Sequence, residues 1–167
     1  IRDPLWSRGL GDVYKRQMEN IVIALLQRVK SASVSIDDSA TAAINEGLLV
    51  FIGFTKQDSS EQIPRLSERI LNYRIFSDKN GLMNMSVIDK NFEVLLVPQF
   101  TLAANTNSGN RPSFSNAAKP EKGQDLFNQF IEQLAHLNTN IKSGVFGANM
   151  QITLVNDGPA TFWLEVN

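Results

Sequence analysis

A chain of 167 residues, 43% hydrophobic and 20% charged, is long enough to fold as one domain with a substantial core. Its formal net charge of −1 argues against a protein that grips a long phosphate backbone. The lack of cysteine excludes disulfides, cysteine-ligated zinc and a thiolate nucleophile, and is compatible with a reducing, cytoplasmic setting; no apolar run reaches the roughly 18–20 residues of a membrane span.

Residues 1–17, "IRDPLWSRGLGDVYKRQ", are basic and lack the apolar stretch of a secretory signal, so they are expected to be a non-native or disordered extension, with the domain running over 18–167 from Met18. Residues 21–29 are apolar with alternation towards the end, a buried strand, and "SASVSID" at 31–37 alternates like a half-exposed one. Over 41–55 the pattern is a short strand, a turn at Glu46–Gly47 and a continuous apolar strand. The first 55 residues therefore predict a β-meander.

A helix follows, with Ser59 and Ser60 as capping oxygens, Pro64 in or near its first turn, and Ile63, Leu66, Ile70 and Tyr73 recurring at helical spacing. "SDKNG" at 77–81 is a turn, and "FEVLLV" at 92–97 is a buried strand that ends at Pro98. The long polar loop 103–119 has little periodicity, which in a compact domain points to function. A second helix is expected over 120–136, burying Leu126, Phe127, Phe130, Ile131 and Leu134. "MQITLV" and "FWLEV", split by "NDGPAT", look like a closing hairpin over 149–166. The fold class is α+β: a single domain of mostly antiparallel sheet, or partial barrel, with two main helices.

Familiar catalytic constellations are missing. The one histidine, His136, falls at a helix end, so neither a Ser-His-Asp triad nor a His-rich zinc site can be assembled, and no cofactor or metal is implied. Three segments with special backbone chemistry remain. "VPQFTL" at 97–102 ends a buried strand in a proline; "GNRPSFS" at 109–115 is turn-rich with one cation, Arg111; "NDGP" at 156–159 puts Pro159 where a second strand would begin. Each alone reads as a strand end, a surface loop or an ordinary turn, and an X–Pro bond is by default trans.

Together, "LLQRVKSASVSI", "LNYRIFSDKNGLMNMSV", "QFTLAANTNSGNRPSFSNAA" and "NDGPATF", in this order and spacing, resemble the D-aminoacyl-tRNA deacylases over essentially all of 18–167. The resemblance implies an enzyme that hydrolyses the ester between a D-amino acid and the acceptor end of tRNA, and that also removes glycine mischarged on tRNA-Ala. It implies a homodimer in which a cis Gly158–Pro159 pair reaches into the other subunit's pocket. It further implies pocket roles for Gln99, Phe100 and Thr101, with Arg28 holding the Gly-Pro segment, Pro98 and Met150 supporting the pocket, and Arg111 touching tRNA.

Two departures stand out. The family usually has serine where Pro98 stands, and a branch of relaxed chirality that accepts L-alanyl-tRNA reads "PQAT"; here Phe100 is kept, which favours D-specific action. The stretch "NTNSGNR" at 105–111 has no basic residue before Arg111, where relatives often carry one, so weak tRNA affinity with a shallow salt dependence is expected. The rival reading is a non-catalytic tRNA-binding module of the same fold.

Overall fold

The computed structural model describes residues 21–138 and 140–167; the expectation for 1–17 lies outside them. Its elements are β1 (Val22–Ile36), β2 (Ser39–Ile44), β3 (Gly47–Gly53), α1 (Ile63–Asn72), β4 (Phe76–Ser77), β5 (Met83–Met85), β6 (Glu93–Pro98), α2 (Pro120–Leu137), β7 (Ile141–Ser143) and β8 (Gln151–Val166). The two helices and the strongly curved, nearly closed barrel-like sheet agree with the α+β reading.

β1 is one strand of 15 residues, not two. It reverses at Asp37 and Asp38, both with positive φ (49° and 61°), the backbone that a tight two-residue hairpin needs. Beyond that turn the expected meander does not form. β2 and β3 run on along the same edge of β1 with the offset kept across residues 45–46, Ala32 opposite Ile44 and Val29 opposite Gly47, so those residues interrupt the strand without reversing it.

The closing hairpin is also corrected. β8 is a single strand of 16 residues whose two halves both pair with β1, Thr161 opposite Gln27 and Asn156 opposite Val29. Residues 157–160 face Arg28 alone, so "NDGP" is a wide bulge within a strand and not a reversal. The local sequence could not separate the two, because the turn residues are the same; the difference is that β1 is long enough to satisfy both apolar runs. β6 adds parallel to β3, and β7 parallel to β6. At the start of the first pair, a Cβ on Gly47 would collide with the Glu93 carbonyl oxygen, so the approach requires glycine there.

The sheet buries both faces. Val22, Ala24, Leu26, Leu48, Val50, Ile52, Val94 and Leu96 pack against α1 and α2 through residues such as Leu66, Ile70, Phe127 and Phe130. The alternate residues Leu49, Leu95 and Val97 join Val29, Ala32, Val34 and Ile44 inside the curl of the sheet. α2 spans Pro120–Leu137 and buries the expected face. α1 follows a 3-10 turn, Ser60–Gln62, that is closed by a Ser59–Gln62 capping box.

That capping turn rests on a buried carboxylate. Asp58 is fully buried, and its oxygens accept from the Thr55 N–H at 2.6 Å and from Gln62 Nε2 at 3.1 Å. Burial pushes its carboxyl above the ordinary value, against the pull of those donors and of Lys122. A carboxyl with a raised folded pKa stabilises most below its unfolded pKa and loses that contribution as pH rises through the folded value. The stability lost in Asp58→Asn, measured by urea unfolding, is therefore expected to shrink between pH 4 and pH 7; a loss that grows over that range would contradict it.

Candidate active site

The turn after β6 is built by its proline. Pro98 pairs in register with Ile52 but has no N–H to extend the ladder. The next donor, Gln99 N, reaches the Ile52 carbonyl at 2.7 Å, and the chain tightens into a 3-10 turn over Phe100–Ala103. This turn lies on Gly53, where a Cβ would sit 2.8 Å from the Gln99 carbonyl oxygen. Within the turn, Leu102 N bonds to the Gln99 carbonyl at 3.2 Å. The N–H groups of Phe100 and Thr101 precede that bond and have no partner inside the turn. Among the described residues no backbone acceptor is recorded for either. The Thr101 hydroxyl accepts a hydrogen bond from the Gln99 side-chain amide.

Phe100 is 54% exposed and lines a small apolar cleft together with Ile52, Phe54, Pro98, Ala118, Gly123 and Phe146. The polar loop folds back onto it: Phe114 packs on Phe100 with ring centroids 5.2 Å apart. Asn105 and Ser113 exchange backbone bonds of 2.7 and 3.0 Å across the loop, and Ala118 N donates to the Phe54 carbonyl at 3.0 Å. Arg111 is exposed within this loop.

The second motif is the β8 bulge. Gly158–Pro159 is cis, and both residues are exposed. Arg28, whose side chain is mostly buried, donates through Nε to the Asp157 carbonyl at 3.0 Å and through Nη1 to the Ile75 carbonyl at 2.7 Å. Its Nε also lies 3.3 Å from an Asp157 carboxylate oxygen, and Lys30 approaches the same oxygen at 3.8 Å. Asn156 closes the base of the bulge: its Nδ2 donates to the carbonyls of Arg28 at 3.0 Å and Ala160 at 3.2 Å. A Cβ on Gly158 would collide with the Asn156 side-chain oxygen, which fits glycine to the position.

The structure thus gathers Pro98, Gln99, Phe100 and Thr101 at one site and Arg28, Gly158 and Pro159 at another. Met150 packs against the inner core, where its sulfur would lie 2.7 Å from a Cβ on Gly144. His136 lies on an open groove with Ser60, Pro64 and Glu132, away from both motifs. Among the described residues no three His, Cys, Asp or Glu side chains come together as metal ligands, and no helix is long and apolar enough to cross a membrane. Sequence reasoning passed over Asn156, Phe114 and Phe146 as site residues. Asn156 and Phe114 each fall inside a quoted motif, whereas Phe146 gave no signal.

The D-Tyr-tRNA(Tyr) deacylase family model matches residues 25–165. The chain belongs to this family. It is 51% identical over 144 residues to the D-aminoacyl-tRNA deacylase of Legionella pneumophila (strain Corby), covering 86% of this chain and 99% of that protein. It is 50% identical over 145 residues to the D-aminoacyl-tRNA deacylase of Salmonella newport (strain SL254), covering 87% and 100%. Among solved structures, the c-Myc DNA Unwinding Element Binding Protein superposes with a TM-score of 0.82 at 39% identity, over 85% of this chain and 97% of the other. A eukaryotic structure described as a probable D-amino acid tRNA deacylase gives 0.78 at 16% identity, over 87% and 99%, a likeness of fold. As a member of the D-Tyr-tRNA(Tyr) deacylase family the chain is a hydrolase.

The Asn156 brace in this deacylase fold can be tested without substrate. Asn156→Asp keeps the shape, removes both donations and sets a carboxylate against two carbonyls. It should lower unfolding stability by about 1–3 kcal/mol in urea titrations. A change within error would mean that the bulge is held without the amide.

Proposed function

We propose that this protein hydrolyses the ester bond of D-aminoacyl-tRNA, and of glycyl-tRNA mischarged on tRNA-Ala, while leaving L-aminoacyl-tRNA intact. The observation that carries the chemistry is the pair of uncommitted N–H groups of Phe100 and Thr101, which open an exposed turn beside an apolar cleft. An aminoacyl ester is already activated. Two oriented donors on the developing oxyanion can supply much of the needed rate, each such donor contributing about 10²–10³-fold.

The attacking group is water, oriented with help from the 2′-hydroxyl next to the ester. The alternative nucleophile, the Thr101 hydroxyl, has as its recorded partner the Gln99 amide, a donor that cannot remove its proton. The exposed rings of Phe100 and Phe114, beside the mouth of the apolar cleft, offer a face on which the flat terminal base of the acceptor end can stack.

Chiral selection is assigned to the Gly158–Pro159 segment of a second copy. On the sheet, Pro98 lies in the row of Ile52 and Ala24, whereas the bulge faces Arg28. The two motifs are four residues apart along β1, roughly 13 Å, and on strands separated by two others. Such a separation favours a homodimer in which each bulge serves its partner's turn. Between the motifs Trp163, 52% exposed, stands beside Leu25, itself beside Phe51: apolar surface that a second copy can bury. Backbone carbonyls of the inserted segment would hold the substrate ammonium and leave no space on the L side of Cα. Recognition by main chain is indifferent to which D side chain is present, and glycine passes. Acting on tRNA, the enzyme belongs in the cytoplasm.

Single-turnover deacylation of D-Tyr-tRNA and L-Tyr-tRNA is the direct measurement. The D ester is expected to disappear and the L ester to persist; loss of both would remove the chiral reading, and loss of neither with tRNA still bound would favour a binding module. Thr101→Ala should keep the D rate within about tenfold of wild type, since the backbone N–H survives. Near-complete loss with intact folding would make Thr101 the nucleophile.

A further inference from the structure

Three lysines adjoin the cleft, and none lies in the 105–111 stretch where the sequence placed the tRNA contact. Lys119 follows the lining residue Ala118, Lys122 precedes the lining residue Gly123, and Lys56 stands two residues beyond Phe54. Backbone bonds hold them in one place. Lys56 N donates to the Asn116 carbonyl at 2.9 Å, Thr55 and Ala117 form an isolated antiparallel bridge, and Gly123 N bonds to the Lys119 carbonyl at 2.9 Å. The Lys122 ammonium donates to the Lys56 carbonyl at 2.6 Å, which fixes its position over this junction.

Their charge is not neutralised. Lys30, Lys142 and Arg28 each have a carboxylate within 4 Å, but among the described residues Lys56, Lys119 and Lys122 have none. All three are exposed. The nearby carboxylates are Asp58, which is buried, and Glu121 and Asp125, exposed on α2; none of them lies within 4 Å of the three ammonium groups. At the edge of the cleft, three exposed ammonium groups outside any ion pair therefore remain available to an anion. An ammonium has three donors, so Lys122 can keep its carbonyl bond and still meet an anion.

We propose that Lys56, Lys119 and Lys122 form a phosphate-binding patch for the single-stranded nucleotides that precede the terminal adenosine of the acceptor end. The inference rests on the reading of the cleft as the terminal-nucleoside site. A strand leaving the cleft across this junction carries its phosphates past the three ammonium groups. The patch supplies the contacts that the 105–111 loop does not, and it is too small for a helical stem. The expected occupant is a short single-stranded segment, recognised by charge and without sequence preference.

The test compares wild type with the triple variant Lys56→Gln, Lys119→Gln, Lys122→Gln, whose positions are exposed and outside the oxyanion turn. Deacylation is measured on D-Tyr-tRNA and on 3′-O-D-tyrosyl-adenosine, and the affinity of uncharged tRNA is titrated against salt. Three lost single-strand contacts should flatten the log–log salt slope by about 2 and weaken tRNA binding roughly tenfold to a hundredfold at 0.1 M salt. Turnover of the adenosine ester should be unchanged. Unaltered tRNA affinity and slope would overturn the patch, as would equal losses on both substrates. If wild type cleaves neither ester but the variant still loses tRNA affinity and slope, the patch stands and the deacylase reading falls.

Discussion

The structure depends on β1 being paired along both edges. Fifteen residues of one strand hold β2 and β3 on one side and all of β8 on the other, so the two longest ladders share a single partner. Register on one edge is kept through the interruption at 45–46, whereas on the other it slips around Arg28. Of the residues that cannot be paired there, 157–160, the exposed Gly158 and Pro159 bulge from the ladder while Ala160 stays buried. A short strand would have let β8 turn back on itself; a long one turns the same sequence into a protrusion. Arg28 is the residue at the slip, and it ties the protrusion to the Ile75 carbonyl behind the sheet.

From that constraint follows a division of labour in which side chains position and the backbone presents. Arg28, Asn156 and Gln99 all spend their donors on neighbouring groups of the same chain. What faces outward is main chain: two N–H groups at the start of the Phe100–Ala103 turn, and the Gly158–Pro159 segment. A site of this kind needs no titrating residue. Its donors are held by the end of β6 and by the close approach to Gly53, so in the proposed chemistry they would require little reorganisation when charge develops on a bound ester. The lone histidine can lie on a distant groove at no cost to such chemistry.

The sequence made the helices legible because their signals are local. Ser59, Ser60 and Pro64 mark the start of the first, and apolar spacing gives the buried face of both. It made the strands legible as apolar runs but not their connections, since Asn-Asp-Gly is equally suited to a hairpin and to a bulge. Which one forms is decided by β1, more than a hundred residues away. The "QFT" and "NDGP" segments could be singled out for their backbone chemistry, yet only the resemblance joined them. Phe114 on Phe100 was hidden for a similar reason: it depends on how the polar loop is pinned at Asn105 and Ser113.

Charge shows the same limit most clearly. Counted along the chain, a slightly acidic protein with a loop poor in cations predicts a weak hold on nucleic acid. Folded, the cations are not evenly used. Lys30 and Lys142 are drawn into pairs with Glu46 and Glu93 at the far end of the sheet, while Lys56, from the end of β3, meets Lys119 and Lys122, from the start of α2. Net charge measures the average field, and binding of a short anionic strand responds to the field at one mouth, within a Debye length of about 8–10 Å. Lys56, Lys119 and Lys122, each without a carboxylate within 4 Å among the described residues, act at that mouth more directly than acidic residues spread over the rest of the surface. An acidic chain with a basic cleft edge therefore suits a substrate that offers only its single-stranded end.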